Sequence, residues 1–155
     1  MGTHHHGSDE VERALDAYIK LVRASETFTA WTGAVMEASE LSGSQFGVLE
    51  ALLHRGPMHQ HEIAKRLLKS GGNVTMVIDN LEKRDMVRRE RDPNDRRCVT
   101  VRLTEAGREA IERVFPRVKE TIVEGMAALT PEEQETLAKL CRKLGRDVAA
   151  HREAT

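Results

Sequence analysis

The stretch from His59 to Leu103 constrains this chain more than any other part of it. From His59 to about Leu67, the residues Ile63, Ala64 and Leu67 share one helical face, and Ser70-Gly71-Gly72 then breaks the chain. From about Asn73 to Lys83, Val74, Val77, Ile78 and Leu81 recur at the i, i+3, i+4, i+7 spacing of an amphipathic helix. Two extended runs follow, Arg88 to Arg91 and Cys98 to Leu103, around the turn Asp92-Pro93-Asn94-Asp95. Val99, Val101 and Leu103 alternate with Cys98, Thr100 and Arg102, the period of a half-buried strand. The pattern predicts a two-stranded ribbon, which is marginal alone and must lean on the helices. Helix, glycine turn, helix and basic ribbon together are the layout of a helix-turn-helix with a wing.

The flanks are helical. Val11, Leu15, Tyr18, Val22, Phe28 and Val35 predict one long helix from Val11 to about Ala38. Ser42-Gly43-Ser44-Gln45 reads as a capping box that opens a helix through Phe46, Leu49, Leu52 and Leu53, stopped by Arg55-Gly56-Pro57. Thr104 caps a helix running to about Leu129, which Pro116 is expected to kink. Thr130-Pro131-Glu132-Glu133 starts a last helix to about His151, with Leu137, Leu140, Cys141, Leu144 and Val148 on one face. The fold class expected is mainly α with a small two-stranded β wing. Its parts are a tag-like or disordered lead-in at 1–8, which contains His4 to His6, and an N-terminal dimerisation helix at 9–40. A DNA-binding lobe follows at 41–104, and C-terminal dimerisation helices at 105–155.

Charge is distributed unevenly. Lys65 to Arg102 holds 11 basic and 6 acidic residues, net +5, in a chain whose net charge is −1. A basic segment on an acidic body can dock on phosphate while the body stays off it. On the helix after the glycines, the face opposite the apolar stripe carries Gly72, Thr75, Met76, Asp79, Asn80 and Lys83, with Asn73 and Arg84 on its flank. Short polar side chains near a helix N-terminus suit base edges in a major groove, where Asn pairs with adenine. The N-terminus itself, from Ser70 to Asn73, suits a backbone phosphate. At the ribbon tip, Asp95-Arg96-Arg97 offers an arginine to the minor groove and a carboxylate to orient it.

These residues resemble a known family. Leu81-Glu82-Lys83-Arg84, Val87, Arg88, Asp92, Asp95-Arg96-Arg97 and Leu103-Thr104-Glu105-Ala106-Gly107 are similar to the signature of MarR regulators. The resemblance is specific from about 59 to 107 and covers nearly the whole chain in helix order. It implies a homodimer with interlocking terminal helices, bound to a near-palindromic operator in double-stranded DNA, and most often a repressor. It also implies that Arg97 reaches the minor groove with Asp95 as its orienting partner, while Arg96 meets a phosphate. This chain departs from the pattern at three places: Met76 stands where a basic residue is frequent, Asp85 where glycine is usual, and His59 where Ser or Thr often caps. Met76 therefore predicts an apolar contact, such as a thymine methyl, and Asp85 must take the left-handed cap.

Relatives in the family bind small aromatic or phenolic anions between the dimer helices and the DNA lobe. Phe28, Trp31, Phe46 and Phe115 are the candidates for such an effector pocket, beside their plain reading as core residues. His54, His59 and His61 cluster around one turn, but His59 and His61 lack the i, i+4 spacing of paired ligands, so no metal site or cofactor is expected. Cys141 lies on an apolar stripe and is expected in the core; Cys98 lies on the outer side of the wing strand. No secretion signal or bilayer-length apolar run is present, and a cytoplasmic protein without a membrane partner is expected. No Ser/His/Asp set, phosphate loop or GxGxxG accompanies these features, which speaks against an enzyme. Two alternatives stay open: a winged-helix module that binds proteins without reading DNA, and a metal- or redox-gated form of the regulator.

Overall fold

The computed structural model describes residues 7–67 and 71–154. In chain order the elements are α1 (Asp9–Glu37), α2 (Gly43–Arg55), β1 (Met58–His59), α3 (Gln60–Arg66), α4 (Gly71–Lys83), β2 (Val87–Arg91), β3 (Val99–Leu103), α5 (Glu105–Met126) and α6 (Pro131–Glu153). The chain divides into two compact units, Met1–Lys119 and Glu120–Thr155, and α5 contributes to both.

The helix boundaries follow local chemistry. At α2 the Gln45 N–H donates to Ser42 Oγ at 3.1 Å while the Ser42 N–H donates to Gln45 Oε1 at 3.0 Å, the expected capping box. The helix stops at Gly56, whose φ of 77° is open to glycine and poorly tolerated by other residues. At α4 the stop is a Schellman motif: Asp85 takes φ 55°, its N–H donates to Glu82 O, and the Met86 N–H donates to Leu81 O. The left-handed cap expected of Asp85 is thus formed. At α6 the Thr130 and Glu133 side chains cap each other's backbone with Pro131 at the first turn.

Two expectations are corrected here. The sheet has three strands in the order β1-β3-β2, all antiparallel, where two were expected. Met58 pairs with Val101 and His59 with Thr100, while Val87 to Arg91 pairs with Leu103 to Val99. A two-residue strand after Pro57 is too short to show alternation, yet it closes one edge of the ribbon. Second, Gly71 and Gly72 belong to α4 instead of breaking the chain. Glycine costs a helix roughly 0.5–1 kcal/mol relative to alanine through its extra backbone freedom, and the burial of Val74 and Ile78 in the turns that follow outweighs that cost.

The core belongs to the first unit. Val48, Leu49 and Leu52 of α2, Ile63 of α3, Val74, Ile78 and Leu81 of α4, Val87 and Val101 of the sheet, and Ile111 and Val118 of α5 are all buried. The α4 stripe is therefore dry at three of its four expected positions, and Val77 packs against the cluster. Burying three such side chains stabilises the lobe by about 1.5–3 kcal/mol each. In the second unit no residue of α6 is buried, and Leu140, Leu144 and Val148 stand exposed. Cys141, expected in the core, is also exposed, as are Leu140 and Leu144 of the same stripe.

The first turn of α5 is wedged under the end of α4. Thr104 Oγ1 accepts from the Gly107 N–H at 3.0 Å and donates to the Asp85 carbonyl, and the Thr104 N–H donates to Met86 O at 3.1 Å. A Cβ on Gly107 would lie 2.0 Å from Met86 O. Because that neighbour is backbone already engaged by Thr104, Gly107→Ala is expected to destabilise the protein by about 3 kcal/mol, the upper range of overpacking. The change should read as a lower urea midpoint at unaltered slope, and an unchanged midpoint would show that the α4–α5 junction yields.

Candidate nucleic-acid interface

The residues expected to meet DNA lie on two elements. On α4 the face opposite the buried stripe leaves Asn73, Thr75, Met76, Asn80 and Lys83 exposed, with Met76 58% exposed. Gly72 is in the first turn of the helix, and Ser70 falls outside the described residues. On the wing, the turn between β2 and β3 is closed by hydrogen bonds from the Asp92 N–H to Cys98 O and from the Cys98 N–H to Asp95 O.

Asp95 holds Arg97 at the tip. Its carboxylate accepts from the Arg97 backbone N–H at 3.0 Å, from Nε at 3.1 Å and from a terminal nitrogen at 3.4 Å. The Arg97 side chain is nonetheless 92% exposed. An ion pair so open to water contributes little stability; its effect is to aim a cation outward. Arg97, through its side chain first and its backbone N–H second, holds the Asp95 carboxyl below its ordinary value. The orienting charge is thus present throughout the neutral range and is lost only as pH falls through that lowered value. Arg96 is exposed beside it.

A recess of about 300 Å³ joins the two elements, lined by Gln60, His61 and Ala64 of α3, Thr75 of α4, and Arg97 and Val99 of the wing. The sequence does not mark Gln60 at all, and it marks His61 only within a histidine cluster, not as a neighbour of the wing. The signal for them was weak, since one short helix start says nothing about which strand lies beside it.

Arg89 was counted with the basic surface, but the structure uses it internally. It bridges to Asp79 at 2.6 Å and Glu82 at 2.9 Å on α4, and its side chain is only 21% exposed. This is readable in principle: Arg89 stands two residues from buried Val87 on β2 and so shares its inward face, and Asp79 and Glu82 stand three apart on α4. Arg102 is likewise paired with Glu90, and Arg88 with Asp85. Arg84 donates to the Glu40 carbonyl at 2.8 Å and approaches Gln45 Oε1, tying the end of α4 to the α1–α2 link. Among the described residues, Lys65, Arg66, Lys83, Arg91 and Arg96 make no ion pair with a carboxylate, which leaves their charge to the surroundings.

The histidines and cysteines are placed as follows. His59 and His61 stack at 5.5 Å, and the His59 N–H donates to the Glu62 carboxylate, so α3 is capped from its third residue and not from the His59 ring. His54 lies against Phe115 and its Nδ1 meets Glu50 O. Among the described residues no three His, Cys, Asp or Glu side chains converge. Partial burial, and then the charge of Asp95, push the Cys98 thiol above its ordinary pKa. The oxidisable thiolate is therefore scarce there at neutral pH. The four candidate effector residues form two separate aromatic pairs, Phe28 with Trp31 at 6.3 Å and Phe46 with Phe115 at 6.4 Å, and no ring contact joins the pairs.

Known proteins are similar to this chain in sequence and in fold. The MarR family model matches residues 41–99, the segment from α2 through the wing. The HTH-type transcriptional regulator YkoM of Bacillus subtilis is 36% identical over 137 residues, 88% of this chain and 89% of its own. Among solved structures, Bordetella bronchiseptica BpsR, whose DNA binding is regulated by 6-hydroxynicotinic acid, is 29% identical with a TM-score of 0.76, over 84% of this chain and 98% of that one. AbsC, a MarR family transcriptional regulator of Streptomyces coelicolor, shares the fold at a TM-score of 0.84 and 20% identity, over 94% of this chain and 99% of that one. With an exposed α4 face, an arginine-tipped wing and a regulator's sequence matched along nearly nine-tenths of its length, the chain is not an enzyme but a transcriptional regulator that belongs to the MarR family.

Proposed function

We propose that the protein is a cytoplasmic homodimeric repressor that reads a near-palindromic operator with α4 and the wing. The observation that carries this reading is the recess shared by Thr75 and Arg97, since it sets the recognition helix and the wing arginine around one concavity. In this reading Asn73, Thr75, Met76 and Asn80 meet base edges in the major groove, with Met76 against a thymine methyl. Ser70 and Gly72 at the helix start, Lys83 at its end and Arg96 meet phosphates. Arg97, aimed by Asp95, enters the minor groove, where negative potential is deepest.

The partner that completes the molecule is a second copy. A stripe of Leu137, Leu140, Leu144 and Val148 runs exposed along α6, and Val11, Tyr18 and Leu21 are exposed on α1. Extended apolar stripes on long helices mark association surfaces. Two copies would set their α4 helices about one DNA turn, ~34 Å, apart. An effector changes affinity only by binding two conformers unequally. The likeness to BpsR supports a hydroxylated aromatic carboxylate as its chemical class. Phe28, Trp31, Phe46 and Phe115 are the side chains proposed to meet it, gathered only when dimer and lobe shift together.

Four outcomes check these assignments. Arg97→Ala should weaken binding to a duplex selected by the wild-type protein roughly ten- to a hundredfold in a gel-shift titration. Wild-type binding itself should fall steeply with salt as counterions are released; affinity indifferent to both would mark a protein-binding module instead. Leu140→Glu, which would bury a charge in the joined stripe, should sediment at one chain's mass where the wild type sediments at two. Cys98→Ala should keep wild-type affinity before and after peroxide treatment, and a peroxide response that vanishes with the thiol would establish redox gating.

A further inference from the structure

The guanidinium of Arg89 connects three elements. Its Nε donates to Gln60 Oε1 on α3 at 3.2 Å, one terminal nitrogen donates to Asp79 and Glu82 on α4, and the other donates to the Thr75 carbonyl at 3.2 Å. The Arg89 backbone N–H also donates to Glu82 Oε1. Two carboxylates neutralise the cation, and it is mostly covered, so it is poorly placed to meet a phosphate. Only a planar fork of fixed donors reaches a carbonyl, an amide and two carboxylates at once; a lysine ammonium does not.

The bond to Gln60 has a consequence at α4. A glutamine amide alone is free to turn either end toward a neighbour. Arg89 Nε is a donor only, so Gln60 must turn its oxygen to it and its NH2 away. That NH2 donates to Thr75 Oγ1 at 2.7 Å. A helical threonine divides between two χ1 rotamers, and this contact favours the one that turns Oγ1 toward Gln60.

We propose that Arg89 and Gln60 are positioning residues for DNA reading, a relay in which Arg89 orients the Gln60 amide and Gln60 fixes the Thr75 hydroxyl on the recognition helix. The relay rests on the reading of α4 as the helix that meets bases. It makes the choice among sequences, rather than attraction to DNA in general, depend on a charge-neutralised, mostly covered arginine and on a glutamine from the preceding helix. The occupant of the adjoining recess is then the operator itself, with the Gln60 amide and Arg97 on either side of it.

The test compares binding to a duplex selected from a random pool by the wild-type protein with binding to a scrambled duplex of equal length, across a salt series. Gln60→Met keeps the length of the side chain and the charge of the protein, and serves beside Arg89→Lys in case the latter perturbs folding. Gln60→Met is expected to lower the selected-to-scrambled affinity ratio by roughly tenfold, the scale of one mismatched position. The slope of log affinity against log salt should stay at the wild-type value, with an unfolding midpoint within about 2 °C of it. Thr75→Val should lower the ratio similarly, and the double variant should be no worse than either single one, because both break one linkage. A ratio retained in Gln60→Met while Thr75→Val loses it overturns the relay alone. So does strict additivity, or a salt slope reduced by about 0.9 in Arg89→Lys, the mark of a direct phosphate contact. A wild-type protein that shows no preference for any selected duplex overturns the DNA-reading assignment and the relay with it.

Discussion

Every polar group that α4 turns outward depends on three side chains it turns inward. Val74, Ile78 and Leu81 are fully buried against α2, α3 and the sheet, and they fix the rotation of the helix about its own axis. A helix turned by one residue would swing each side chain through about 100°, so the identity of the exposed set is decided by the packing of the hidden one. Arg89 from the wing strand and Arg84 at the helix end then fix its position at both flanks. The face proposed to read DNA is therefore a consequence of apolar packing, and polar contacts at both flanks hold it in place.

The parts of this architecture that local chemistry determines could be read from the chain alone. Ser42 with Gln45 and Thr130 with Glu133 each satisfy their own backbone donors within four residues, so their helix starts need no tertiary information. The same holds for the Asp85 cap and for the alternation of β3. What the sequence did not show depends on partners distant along the chain. Met58 and His59 become a strand only because Val101 and Thr100 lie beside them. Arg89 resembles a surface cation until Asp79, Glu82 and Gln60 are brought to it. Gly71 and Gly72 read as a break by propensity, yet tertiary packing of Val74 and Ile78 carries the helix through them.

The same distinction applies to the proposed site. The α4 residues were found from periodicity and Arg97 from its place in a turn, both short-range signals. Gln60 and His61 reach the recess through the crossing of α3 and the wing, which no spacing records. Cys141 and the α6 stripe show the opposite difficulty: the sequence pattern marks an apolar surface without saying whether the chain covers it itself. The second unit by itself leaves it exposed.

The closeness of Asp95 and Arg97 has a consequence for how the protein would search along a duplex. The tip between β2 and β3 carries Arg96 and Arg97, but Asp92 and Asp95 sit in the same short turn, so its formal charge sums to zero. Seen from beyond a Debye length of about 8 Å, such a tip is a dipole with no net pull toward phosphate. It would begin to grip only at the groove mouth, where the outward cation is nearer than the anions behind it. If the wing meets DNA as proposed, long-range capture would fall to the helix lysines and arginines that meet no carboxylate, and the wing would ride over wrong sequences without arresting on them.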